Sequence, residues 1–514
     1  MPPVRTARKL GAVLLGAVLL GVGCTGAPSP APPGQEQTGG PDTSGPPGLP
    51  PAPAQPAPPA PGLLVRTGGP SPTARPCTEA PPVAPVTPPG AERVLWGEGF
   101  VEGVAADACG NVYVLVDHFA EATFAGERLP AGPGPRSQWL LKLAPDLRVQ
   151  WVQRLDTSGF APRGLAVRAD GSALFLTGAF HEALTTPLGP LAVSGPVPTL
   201  SPGRGFLAAL APDGSWDWVR PLTAGDGLFL RGLVALGRGA AVAGAFRGAS
   251  EALGLTFQGA RANDRRGFTL LVGEDGQTQA VHAPAADRPT EGLALAAAPD
   301  GGLAVAYGTQ VPDAPFGLES QALVVRLGPD GAARWEARLP AGAGTTPGAV
   351  AVGADGTVLL SAFAREGFAF AGAQLGPDAR GGSAMLLGLR ADGQPAWGRS
   401  IGRLFDHRLC VDGLGRATLA GTEGPADFGG GAPEDTAGIL VSAGRVTLAG
   451  EPLDSHAYRY VEFSEGDSSP ELLASACTAD GRALLGGWTP HGLRVGQQRV
   501  PTGDFKGFLL ELGR

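Results

Sequence analysis

Five cysteines, six histidines and one serine in a G-x-S-x-G frame are the side chains of this 514-residue chain whose types and spacing could support chemistry. Ser400 stands in "GRSIG" (398–402). That pattern makes a nucleophile only on a strand-turn-helix elbow; here it lies in a strand-to-strand connection, so the match is coincidental. His118, His181, His282, His407, His456 and His491 lack the i, i+4 or cysteine-rich spacing of zinc sites. No ladder of Asp resembles a calcium loop either. No catalytic residue, metal ligand or cofactor is therefore assigned. Setting Cys24 aside leaves Cys77, Cys109, Cys410 and Cys477, an even number that in an exported chain points to disulfides, with free buried thiols as the alternative.

The address follows from the first residues. Arg5, Arg8 and Lys9 precede an apolar run of about a dozen residues, then small residues and Cys24. A run that short cannot cross ~30 Å of hydrocarbon as a helix and reads as a secretory signal, the alternative being an uncleaved anchor. This end resembles a bacterial lipoprotein signal: Val22 and Gly23 fit the box before the Cys, while Gly21 stands where Leu is usual. The resemblance implies a signal over residues 1–23, an acylated Cys24 as the mature N-terminus, and membrane lipid as a partner. Thr25, rather than Asp, implies sorting to the outer membrane or cell surface. Acyl chains contribute about 0.8 kcal/mol per buried CH₂, so two or three hold a protein firmly. Residues 24–90, with "PPGLPPAPAQPAPPAPG" (46–62), carry no apolar periodicity and read as a disordered Pro-rich tether.

Charge narrows the partners. Formal charge is 39 minus 47, or -8, which repels phosphate backbones and argues against nucleic acid. An unknown protein or glycan ligand is expected instead, and a monomer.

The elements that must position any site come from a repeat. "RGLAVRADGSALFLTGAF" from Arg163 has relatives from Glu102, Arg231, Glu291, Gly348, His407 and Leu473. Each has two apolar runs around a Gly-containing turn, a hairpin signal because Gly accepts positive φ. A second hairpin follows, as in "GFLAALAPDGSWDWVRPL" (205–222). Seven four-stranded units predict an all-β, seven-bladed β-propeller over residues 91–514. Small residues in the first run suit strands crowded at an axis. The last unit lacks a fourth strand, and "AERVLWGEG" (91–99) is an orphan, so the N-terminal strand is predicted to close the ring.

Trp151, Trp218, Trp335 and Trp397 each lie five residues after the Asp of the second hairpin. Trp96 is placed at the same position in the orphan, with Ala280 and Leu448 substituting in two units; the Trp are expected to pack between blades rather than bind sugar. "GVAADACGNVYV" (103–114) with "WLLKLAPDLRVQW" (139–151) resembles a bacterial β-propeller repeat family, the SBBP-like family. That resemblance implies the propeller fold and no common catalytic set. The third and sixth units depart from its turn pattern.

The repeat sets the cysteine register. Counting back from Gly415 and Gly481, Cys410 and Cys477 fall one residue out of phase in adjacent blades and face opposite sides of their sheets, so they can meet across the interface. Cys77 would then pair with Cys109. The candidate ligand loop is "DSHAYRYVEFSEGDSSPE" (454–471), where His456, Tyr458, Arg459 and Tyr460 interleave aromatic and polar groups. Its plainer reading, which the alternation favours, is an outer strand of blade six. The function expected is a lipid-anchored envelope propeller acting as a non-enzymatic binding or scaffold protein. Its alternatives are a carbohydrate- or peptide-active enzyme at the channel mouth and a subunit of an outer-membrane assembly complex.

Overall fold

Hairpin turns, many built on Asp and Gly, divide the chain into antiparallel pairs, and the computed structural model assembles these into seven blades, each built on four strands and some carrying more, with no helix among the described residues. Residues 64–66, 92–132, 136–155, 158–192, 204–250, 253–257, 264–284, 289–310, 320–377, 381–422, 426–429, 439–460, 471–503 and 505–512 are described. They fall in one compact unit, Pro59–Arg514.

The innermost strands of blades one to seven are Phe100–Ala106, Ser158–Val167, Gly227–Leu236, Thr290–Ala297, Thr346–Val352, Phe405–Val411 and Glu471–Cys477. Three further strands follow outward in each, for example Val112–His118, Ser137–Leu143 and Val149–Arg154 in blade one. Burial runs with radius. The second strand of blade one is buried on both faces, as a sheet sandwiched between neighbours must be, whereas the outer strand of blade four, Ala333–Arg338, is largely open.

The hydrophobic core is divided rather than central. Among the described residues, seven apolar clusters form, one at each blade-to-blade seam. Near the axis the seams are close: a Cβ on Gly232 would meet Leu295 Cδ2 of the next blade at 2.4 Å. This is the reason for the small residues of the first run.

Closure is as expected. Arg93–Glu98 pairs antiparallel with Lys506–Leu512, Arg93 opposite Glu511 and Glu98 opposite Lys506, and becomes the outer strand of blade seven. One feature departs from a structureless tether: Leu64 and Val65 add a further strand to blade two, opposite Val219 and Trp218. Apart from residues 64–66, the segment 24–90 lies outside the described residues, as does Cys24.

Candidate binding site: the axial channel and its seams

Alternation of strand direction puts the starts of all inner strands at one end of the channel, together with the long connections between second and third strands. At that end a cavity of about 440 Å³ is lined by Glu102, Arg231, His407 and Arg408 among glycine and aliphatic residues. The opposite end holds a second cavity of about 480 Å³ walled by Ala, Val and the two cysteines of blades six and seven.

All seven inner strands shift register at one level, with an extra residue at Glu102, Arg163, Arg231, Leu293, Gly348, His407 and Leu473, joined in blade six by Asp406. Bulges of this kind bend a strand and re-aim its side chains. Here six of the bulge residues, Glu102, Arg231, Leu293, Gly348, His407 and Leu473, line the charged mouth.

The charges there are of both signs. Arg231 Nε donates to Glu291 Oε1 at 2.9 Å, and Arg265 Nη1 lies 3.7 Å from the other oxygen of Glu291. Arg408 donates to the carbonyl of His407 at 2.9 Å. His407 is locked at both ring nitrogens, between Ser361 Oγ at 2.7 Å and Leu404 O at 2.6 Å. Burial pushes its pKa down to about 4, against the smaller effect of the Leu404 bond. It is a neutral, structural imidazole.

Ser400 of the G-x-S-x-G match sits within the outer strand Pro395–Gly402 of blade five, not in a connection, and its hydroxyl touches Gly376 O and Met385 Sδ. It has no elbow geometry. Among the described residues no group of three His, Cys, Asp or Glu converges on a metal-sized point.

Cys410 and Cys477 are joined in a disulfide, Cα to Cα 5.5 Å, across the seam of blades six and seven. Opposite the second strand, Cys477 pairs with Ala483 at the level where Val411, not Cys410, pairs with Ala417, which is the one-residue offset the repeat requires. Cys109 is also disulfide-bonded, while Cys77, the partner expected for it, lies outside the described residues.

The tryptophan position resolves into a lock. In the outer turn the Asp carboxylate accepts the N–H two residues on, as Asp213 does from Ser215 at 3.0 Å, and the Gly takes positive φ. The indole of the preceding blade donates to the carbonyl two residues before that Gly, and covers the Gly itself at Gly393 and Gly450. Trp218 reaches Glu274 O at 2.7 Å, Trp335 reaches Ala391 O and Trp397 reaches Leu448 O, both at 2.8 Å.

Register corrects two assignments. The residue at the indole position pairs with the next-to-last residue of the third strand, as Trp218 does with Ala209, or, in blade six, whose third strand Ile439–Thr447 runs one residue further, with the residue before that. In blade seven that residue is Arg93, opposite Glu511; Trp96 lies three places on, opposite Phe508, and is 40% exposed. In blade six it is Asp454, opposite Arg445, whereas Leu448 belongs to the turn. Both substitutes are charged. Arg93 Nη1 donates to Asp146 O at 2.8 Å, while the carbonyl before that Asp, Pro145 O, takes Arg482 Nη1 at 2.6 Å, so two guanidinium groups do the indole's work on blade one.

Residues 454–460 of the candidate loop form the outer strand Pro452–Tyr460, and residues 461–470 lie outside the described residues. His456 Nδ1 is 3.2 Å from Glu92 Oε1, its Nε2 is 3.4 Å from Asp454 Oδ1, and its ring stacks on buried Tyr458. Arg459 and Tyr460 pair with Arg494 and Leu493 of a hairpin from blade seven. The structure thus gathers His456 and Tyr458 at the outer seam rather than at the axial cavity.

No family model matches the sequence, and no curated protein matches it. Among solved structures the chain is similar to a Dos1 propeller (11% identity, 84% of this chain and 96% of that one, TM-score 0.38). It is also similar to a puromycin hydrolase (17%, 76% and 58%, TM-score 0.34) and to a protein of unknown function from Dyadobacter fermentans (8%, 81% and 95%, TM-score 0.35).

Proposed function

We propose that the protein is a lipid-anchored propeller of the bacterial cell envelope that binds a protein or glycan at the end of the channel where the inner strands begin. The observation that supports this reading is the charged cavity of about 440 Å³, ringed by seven aligned bulges on a closed scaffold. The histidine of that mouth is held at both nitrogens, which favours binding over proton transfer. Acylated Cys24 would fix the protein to membrane lipid and the Pro-rich residues would space it outward; membership of the SBBP-like repeat family belongs to the same proposal.

Fractionation of cells carrying the Cys24→Ala chain tests the anchor, with release into the soluble fraction expected and retention in membranes opposing it. Joint replacement of Arg231 and Arg408 by Ala tests the mouth. Retention of solubilised envelope material on the immobilised full chain should fall by about tenfold or more, since the loss of two charged hydrogen-bonding groups is worth that factor. Unchanged retention would place the binding surface elsewhere.

A further inference from the structure

Four aromatic rings meet beside the charged mouth, at the seam of blades seven and one. Phe100 opens the inner strand of blade one, two residues before Glu102, and Phe119 follows its second strand. Trp488 is the next-to-last residue of the second strand of blade seven, and Phe505 precedes the third. Ring centroids are 5.0 Å apart for Phe100 and Phe505, 5.4 Å for Phe100 and Trp488, and 5.7 Å for Phe505 with either Trp488 or Phe119. Trp488 is buried, but Phe119 is 48% and Phe505 42% exposed. Phe505 is held at φ 51°, a costly backbone for a bulky residue, and Gly99 N–H donates to its carbonyl at 2.7 Å, which fixes it there.

Polar groups rim the platform and are themselves anchored. The Arg136 guanidinium lies 4.6 Å over the Phe119 ring and is tied to buried Asp117 at 2.9 Å. Lys506 Nζ and Glu98 Oε1 are 3.2 Å apart on the residues flanking Phe505 and Gly99. Next to Phe119 in the chain, His118 is 2% exposed and its Nε2 has no hydrogen-bond partner.

We infer that this platform is a binding site for a neutral saccharide, stacked by an apolar C–H face on Phe119 and Phe505, with its hydroxyls on Arg136, Glu98 and Lys506. The inference rests on the proposed reading of the protein as a binding module but places the contact off the axis. Size decides against a protein partner: each half-exposed ring offers roughly 100 Å², whereas a stable protein interface buries about 800 Å² per partner. Charge decides against a polyanion, because the cations Arg136 and Lys506 already face the carboxylates Asp117 and Glu98. What remains is a small ligand that is flat and apolar on one face and rich in donors and acceptors at its edge.

Calorimetry of the full chain carrying Cys24→Ala, titrated separately with cellohexaose, maltohexaose and chitohexaose, tests the inference. At least one is expected to bind, and Phe119→Ala and Phe505→Ala each to weaken it by about tenfold, while Arg231→Ala with Arg408→Ala leaves it unchanged. Phe119→Leu, which keeps apolar bulk without the ring, should weaken binding as Phe119→Ala does. Unchanged melting temperatures check that the variants fold. Binding that survives both Phe variants but is lost with the Arg pair overturns the platform and leaves the mouth reading standing. Absence of binding by all three hexasaccharides overturns the saccharide assignment, as does retention of an envelope protein that depends on Phe119 and Phe505 alone; the anchor and mouth tests stand or fall separately.

Discussion

The seam between blades five and six and the seam between blades seven and one do the same job with different chemistry. At the first, Trp397 covers Gly450 and donates to Leu448 O, a bond that recurs from Trp218 between blades two and three and from Trp335 between blades four and five. At the second, Arg93 donates to the blade-one turn and pairs with Glu511 at 2.6 Å. Arg482, only 3% exposed, adds bonds to Pro145 O at 2.6 Å and Gly110 O at 3.0 Å. Blade seven differs because its third and fourth strands come from opposite ends of the chain, so it has no outer turn for the preceding blade to grip. Blade six accordingly carries Asp454 where an indole stands elsewhere, and the Cys410–Cys477 disulfide spans that seam. A repeat copies its contacts; the place where a ring is sealed has to be written separately.

If charge seals the ring, its most buried member should matter most. Arg482→Ala leaves Glu511 and Asp480, both close to Arg482, without a buried cation. A loss of about 3–5 kcal/mol is expected, because breaking one side of a buried pair strands the other. Urea titration measures it, and a loss under about 1 kcal/mol would reduce the sealing seam to packing alone.

Next comes the covalent link. Cys410→Ser with Cys477→Ser frees a 67-residue separation and is expected to cost about 2–4 kcal/mol through the unfolded chain. Since the same seam lacks an indole lock, the double variant should open first at blade seven, with faster amide exchange in Glu471–Cys477 than in the inner strands of blades two to five. Uniform exchange across the ring would erase the contrast between the seams.

Acid should act on the same region. Burial by itself would raise the Asp454 carboxyl, but hydrogen bonds from His456 and Arg445 and the Arg445 charge overturn this and hold it at about 2. A carboxyl depressed on folding stabilises the fold above its unfolded value near 4 and loses that contribution as pH falls toward 2. The side chain is 30% exposed, so screening leaves on the order of 1–2 kcal/mol. Asp454→Asn should remove this part of the slope between pH 4 and pH 2 in stability measured by denaturant.

The repeat, the small inner strands and the closing strand were legible because each is local and recurs: a Gly-containing turn marks the same place seven times, and a one-residue offset of Cys477 against Cys410 can be counted. What could not be counted was misplaced. Trp96 shares a residue type with the lock but not its register, which is set by Arg93 opposite Glu511. Blade six has no Asp in its outer turn to count from, and Leu448 lies in that turn; counting from Gly450 leads to Asp454. The ring of bulges is hidden because a bulge adds a residue without changing composition. Phe100, Phe119, Trp488 and Phe505 come from two blades at opposite ends of the chain, and only closure brings them together.

The smallest effect separates the two accounts of tryptophan most cleanly. Trp397→Phe keeps an aromatic ring against Gly450 but deletes the donor to Leu448 O, and a cost of about 0.5–1.5 kcal/mol is expected for a hydrogen bond whose acceptor is left partly buried. Trp96→Phe removes no such bond among those described; the ring is 40% exposed and its change should stay within about 0.5 kcal/mol. Arg93→Ala, at the lock position itself, should cost more than either, because it also leaves Glu511 short of a partner. Equal losses for the two tryptophans, with Arg93→Ala neutral, would return Trp96 to the repeat and undo the register on which the contrast between copied and sealing seams is built.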